Sequence, residues 1–86
     1  MTLKIEVDQD RSFTTIRLIG RVEGEHIPEL ERVMSGRASA VALDLEQVSL
    51  VDAQVVQFLA GCAARDVQLL HCPPYITEWM EQQKKA

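Results

Sequence analysis

Few residues of this chain could do chemistry, and the most suggestive lie in LDLEQVSLVDAQVV, residues 43–56. Asp44 interrupts an apolar run, and Asp52 stands where the pattern changes from strand to helix. The next residue, where a hydroxyl would be reactive, is Ala53. Nucleophilic catalysis needs Ser, Cys or Thr beside a base. Ser49 with His71 or His26 is a conceivable pair, but so small a domain offers little pocket for it. Glu23, Glu25, Glu29 and Glu31 read as a solvated acidic edge, not as a pair poised for acid–base work. His26, His71 and Cys72 match no zinc spacing. His71 and Cys72 are adjacent, and neighbours in a strand point to opposite faces, so no metal is expected. No P-loop or GxGxxG motif is present. These residues predict neither an enzyme nor a cofactor.

The elements that position them follow from periodicity. Residues 3–7 (LKIEV) and 13–19 (FTTIRLI) alternate apolar and polar, and the short polar link DQDRS makes them an antiparallel hairpin. Gly20 ends the second strand. In RVEGEHIPELERVMSG, Pro28 suits a first helical turn, Ile27, Leu30, Val33 and Met34 keep helical spacing, and Gly36 suits the C-terminal cap. AVALDL, residues 40–45, is the least interrupted apolar run, as expected of a strand buried on both faces. Residues 52–64 are helical by pattern, 67–72 (VQLLHC) form a fourth strand, and Pro73-Pro74 opens a last helix with Ile76, Trp79 and Met80 on its apolar side. Trp79 is expected as a lid over the core. The order β-β-α-β-α-β-α predicts an α/β fold with a parallel core and the first strand antiparallel at one side.

Bulk properties set limits. The 86 residues predict a single domain over 1–86 with one compact core. A net charge of −4, with nine Lys and Arg spread along the chain, makes nucleic acid a poor partner. Lys84-Lys85 is expected to complement the carboxyl end of the last helix. The N-terminus carries no apolar leader and no run is long enough to cross a membrane, so a cytoplasmic protein with no membrane insertion is expected. Cys62 and Cys72 are then free, mostly buried thiols.

The helix at the junction is unusually apolar. Asp52 is a good N-cap. The apolar positions 55, 56, 58, 59, 60, 62 and 63 cover an arc of roughly 200° at about 100° per residue. A surface helix needs an apolar stripe of only about 100° or somewhat more. Val55, Phe58 and Cys62 lie along one edge of the stripe. Either that edge packs on a neighbouring helix of the same domain, or it is an exposed ledge that meets a partner. Phe58→Asp separates the two: it weakens binding if Phe58 is exposed and unfolds the chain if it is core.

Three segments resemble the STAS domain, the family named for sulfate transporters and anti-sigma-factor antagonists. RLIGRVEGEHIPELE resembles that family's early strand, with a glycine and then an acidic residue before the first helix. AVALDLEQVSLVDAQVVQFLA resembles its most diagnostic part, an apolar strand with an aspartate near its end, a short loop, and Asp-Ser-Ser/Thr-Gly opening a helix. DVQLLHCPP resembles the next strand and its proline-marked exit. The resemblance implies a STAS-like mixed sheet, here four-stranded, with helices packed mainly on one face, and no enzymatic activity. It also implies a protein partner. The best-known bacterial members bind an anti-sigma-factor kinase that phosphorylates the serine or threonine opening the helix, and other members are regulatory subunits of transporters.

Residue by residue, the resemblance places Asp44 at the strand aspartate and Asp52 before the phosphosite. Ala53 stands at the phosphorylated serine and Val55 at a glycine, and both matches fail. Gln54 holds the next small polar position, and Val56 agrees. The implied docking residues are Asp52, Ala53, Gln54, Val55 and Phe58, with Asp44 orienting the loop before them. Alanine carries no phosphate, so no switching is expected at the usual position. The implied partner is an anti-sigma-factor kinase or a signalling complex. One alternative is a regulatory subunit bound to the ATPase of an ABC-type lipid transporter; another is a small-ligand binder with a pocket under the helix entrance.

Overall fold

The computed structural model describes residues 3–10, 12–35 and 40–85. Strand β1 (Leu3–Gln9) and strand β2 (Phe13–Val22) form the expected hairpin, with Glu6 opposite Arg17 and Ile5 opposite Leu18. A 3₁₀ turn (Gly24–His26) leads into helix α1 (Ile27–Met34). Strand β3 (Ala40–Val51), helix α2 (Ala53–Ala64), strand β4 (Gln68–Leu70) and helix α3 (Pro74–Lys85) complete the series. The sheet order is β1-β2-β3-β4, with β1 antiparallel to β2, and β2, β3 and β4 parallel. The mixed four-stranded sheet is thus the one expected. Gly36, expected to cap α1, lies outside the described residues, as do the side chains of Lys84 and Lys85.

Alternation decides which face is covered. Ile16 and Leu18 of β2 and Leu43 and Leu45 of β3 are buried in one cluster with Leu30 of α1, Val55, Val56, Leu59 and Cys62 of α2, and Ile76 of α3. All three helices therefore pack on the same side of the sheet. Trp79 and Met80 are half-buried against this core, as expected of a lid. On the other side, Glu6, Arg17 and Asp44 stand abreast on three neighbouring strands. Arg17 donates to Glu6 at 3.0 Å.

Three strands differ from expectation. β2 does not end at Gly20 but runs through it to Val22, pairing with the extended end of β3. β3 continues to Val51 where a loop was expected after residue 45. It does so with two irregularities against β2. Leu45 and Glu46 together face Leu18 between the pairs Arg17–Asp44 and Ile19–Gln47, and Ser49 is extra between the pairs Gly20–Val48 and Arg21–Leu50. Each extra residue shifts the alternation by one. The core positions therefore run Leu43, Leu45, Val48, Val51, a spacing no simple strand period produces. Ser49 accordingly sits in a strand, exposed, and not in a loop. β4 is the shorter one, with three residues paired to Ala42–Asp44. His71 takes a left-handed backbone (φ 54°) and ends the ladder there.

Candidate functional site

The C-terminal ends of the parallel strands β2 and β3 each feed a helical turn, and the two turns meet at Asp52. Its Oδ1 accepts the Val55 N–H at 2.9 Å, the N-cap bond expected from the sequence. Its Oδ2 accepts the Gly24 N–H at 2.8 Å, so the same carboxylate also ties down the turn before α1. The hydrogen bonds from Gly24 and then Val55 hold the Asp52 carboxyl below its ordinary pKa, against the opposing effect of burial. The Gly24 turn is closed on itself as well. The Glu23 N–H donates to His26 Nδ1 at 2.9 Å, and the His26 N–H donates to the Glu23 carbonyl at 2.8 Å. The Gln54 side chain lies over Gly24, in the space a Cβ there would fill. His26 is thus occupied in local structure.

This junction presents Ala53 and Gln54 to solvent, with Asp52 half-buried between the turns. Val55 departs from the expected docking set: it is 1 % exposed, and Cys62 is 0 % exposed. The first two turns of α2 roll toward the sheet, so Val55 and Val56 are both core, and the ledge expected along Val55, Phe58 and Cys62 is largely an inner surface. Phe58 is half-buried and packs against the same core. Its free side lines a groove of about 470 Å³ with Glu31, Met34, Ser35, Arg65 and Val67, further along α2 than the entrance. Leu50 is the apolar residue that takes their place beside the junction: it is 49 % exposed, two residues before Asp52. The local pattern Val48-Ser49-Leu50-Val51 does not single it out, and its outward direction follows from the second β3 irregularity.

Asp44 was expected to orient the loop before Asp52. Its Oδ1 accepts the Glu46 N–H at 3.0 Å and so fixes the first irregularity of β3, inside the strand. The same oxygen is 3.2 Å from His71 Nδ1, and its Oδ2 is 3.9 Å from Arg17 Nε. Burial alone would raise the Asp44 pKa; the bonds from Glu46 and His71 and the charge of Arg17 outweigh it and leave the carboxyl below its ordinary value. Cys62 and Cys72 are free thiols, the first buried and the second half-buried, and burial pushes the Cys62 thiol up. Among the described residues no helix is long and apolar enough to cross a membrane.

No family model matches the sequence, and no curated protein matches it. The fold does have a solved counterpart. The crystal structure of an antisigma-factor antagonist, a STAS domain from Rhodobacter sphaeroides, matches with a TM-score of 0.65 over 81 % of this chain and 87 % of that one. The identity is 14 %, so the likeness is one of architecture. The chain has the STAS-domain fold.

Proposed function

We propose that this chain is a non-enzymatic protein-interaction domain of the STAS type, acting in the cytosol. It docks a signalling partner through the entrance of α2 and is not switched by phosphorylation there. The observation that carries this reading is the junction itself. A single carboxylate, Asp52, pins two turns together and holds Ala53 and Gln54 outward as a fixed edge. A phosphate at this helix N-terminus would bring about two negative charges and three acceptors. Ala53 has no side-chain hydroxyl to receive it. The partner face consists of Leu50, Ala53 and Gln54, with Val55 supporting it from inside.

The test compares the wild-type chain with L50D and Q54R as baits in native extract, with folding checked by circular dichroism. The reading predicts recovery of an anti-sigma-factor kinase or its signalling complex by the wild type, lost in both folded variants. Equal recovery by the variants places the contact elsewhere and sinks the docking assignment. Recovery of a transporter ATPase instead assigns the domain to a transporter. Incubation with the recovered kinase and ATP, followed by mass spectrometry, checks the second half: phosphate on any of residues 49–57 contradicts it.

A further inference from the structure

Linear spacing gave no metal pattern, but the fold brings three donors together on the side of the sheet opposite the helices. We propose that Asp44, Glu46 and His71 bind a first-row divalent cation, with Zn²⁺ as the representative ion. One ligand atom from each lies within 4.8 Å of the others. Asp44 precedes the first β3 irregularity and Glu46 belongs to it, and His71 is the residue that ends β4 just past the Leu70–Asp44 pair. Donors at about 2.0–2.2 Å around a tetrahedral ion are about 3.4 Å from one another. Asp44 Oδ1 and His71 Nδ1, at 3.2 Å, already stand at that separation. Glu46 is exposed and closes the third position by rotating its side chain. Two carboxylates with one imidazole suit a borderline ion such as Zn²⁺ better than an all-oxygen set would.

Charge supplies the second argument. Asp44 is 7 % exposed and is compensated by the Glu46 N–H, His71 and Arg17, whereas Glu46 beside it is not. The cations on this side of the sheet are spent elsewhere: Lys4 and Arg17 both turn to Glu6, at 3.4 Å and 3.0 Å. Arg17 reaches Asp44 only at 3.9 Å, on the oxygen turned away from His71. Among the described residues Glu46 has no ion pair. A cation between Asp44 Oδ1, Glu46 and His71 takes the place of the Asp44–His71 contact and supplies the ion pair that Glu46 lacks. Arg17 opposes it moderately from the far oxygen.

The test is titration of the reduced 86-residue chain with zinc chloride, followed by calorimetry and by melting temperature. The variants are H71N, which keeps a residue type that tolerates the left-handed backbone, E46Q, and C72S as a control for thiol binding. The expected result is saturable one-to-one uptake with a rise in melting temperature in the wild type and C72S, both lost in H71N and E46Q. R17Q binds more tightly, because an opposing charge is gone. Absence of saturable uptake by the wild type overturns the site. So does uptake that survives in H71N or E46Q, or uptake that C72S abolishes.

Discussion

At the scale of single residues, Asp52 carries the most structure. One carboxylate serves two elements, with Oδ1 on the first turn of α2 and Oδ2 on the turn before α1. Removing it exposes two backbone donors at once. Asp52→Ala is expected to cost about 1–2 kcal/mol, the upper part of the range for a lost N-cap, as measured by urea denaturation. Asn in its place still accepts hydrogen bonds but does not titrate. The pH dependence has a definite sign. The folded-state pKa of Asp52 lies below its unfolded value because the ionised form accepts both N–H groups. Its contribution is therefore present in full above the unfolded carboxyl pKa, about 3.9, and is lost as the pH falls through the lower folded value. Melting curves should show the advantage of wild type over Asp52→Asn shrinking as the pH drops below about 4. A constant difference down to the acid limit would mean that the charge of Asp52 contributes nothing.

At the scale of elements, β3 is the decisive piece. Its irregularities keep Leu45, Val48 and Val51 on the helix side while the strand gains two residues over β2. Ser49 is the extra residue of the second one, so its deletion leaves Val48 opposite Gly20 and Leu50 opposite Arg21. Deletion of Ala42, in the regular part, turns Leu43 and Leu45 to the other side of the sheet. Circular dichroism should find the first variant folded and the second unfolded; the reverse result would refute the register. Helix α2 carries the parallel lesson. Val55 is wholly enclosed, and Val55→Ala should cost about 2–3 kcal/mol in urea from lost burial and the cavity left behind. The exposed Leu50→Asp should change stability by less than about 0.5 kcal/mol. Equal losses at both positions would mean that Leu50 is also packed. Phe58, half in the core and half in its groove, belongs with Val55 more than with Leu50.

At the scale of the molecule, one core joins both halves of the chain. Leu18 from the hairpin, Leu43 from β3 and Ile76 from α3 share a single buried cluster. A domain of this size with one core is expected to unfold in one cooperative step. Trp79, half-buried on α3 against that cluster, gives a local probe at the end of the chain. Its fluorescence and the far-ultraviolet circular dichroism of the sheet should report the same midpoint in denaturant. Two separated transitions would show that α3 docks as an independent unit and would contradict the single domain.

The sequence by itself determined the order of elements, the hairpin, the Asp52 cap, the apolar strand at 40–45 and the absence of a side-chain hydroxyl at residue 53. Those features are local: alternation, cap chemistry and helical spacing are written within a few residues of where they act. Tertiary structure alone decided three others. The irregularities of β3 exist only relative to β2, so residues 46–51 lack a readable period and were expected as a loop. Val55 is core because of how α2 rolls onto the sheet, a choice that an arc of apolar positions leaves open. His71 is far in sequence from Asp44 and Glu46, and it meets them because β4 pairs beside β3 and ends at His71. A pattern read along one strand carries no information about which neighbour will lie across from it.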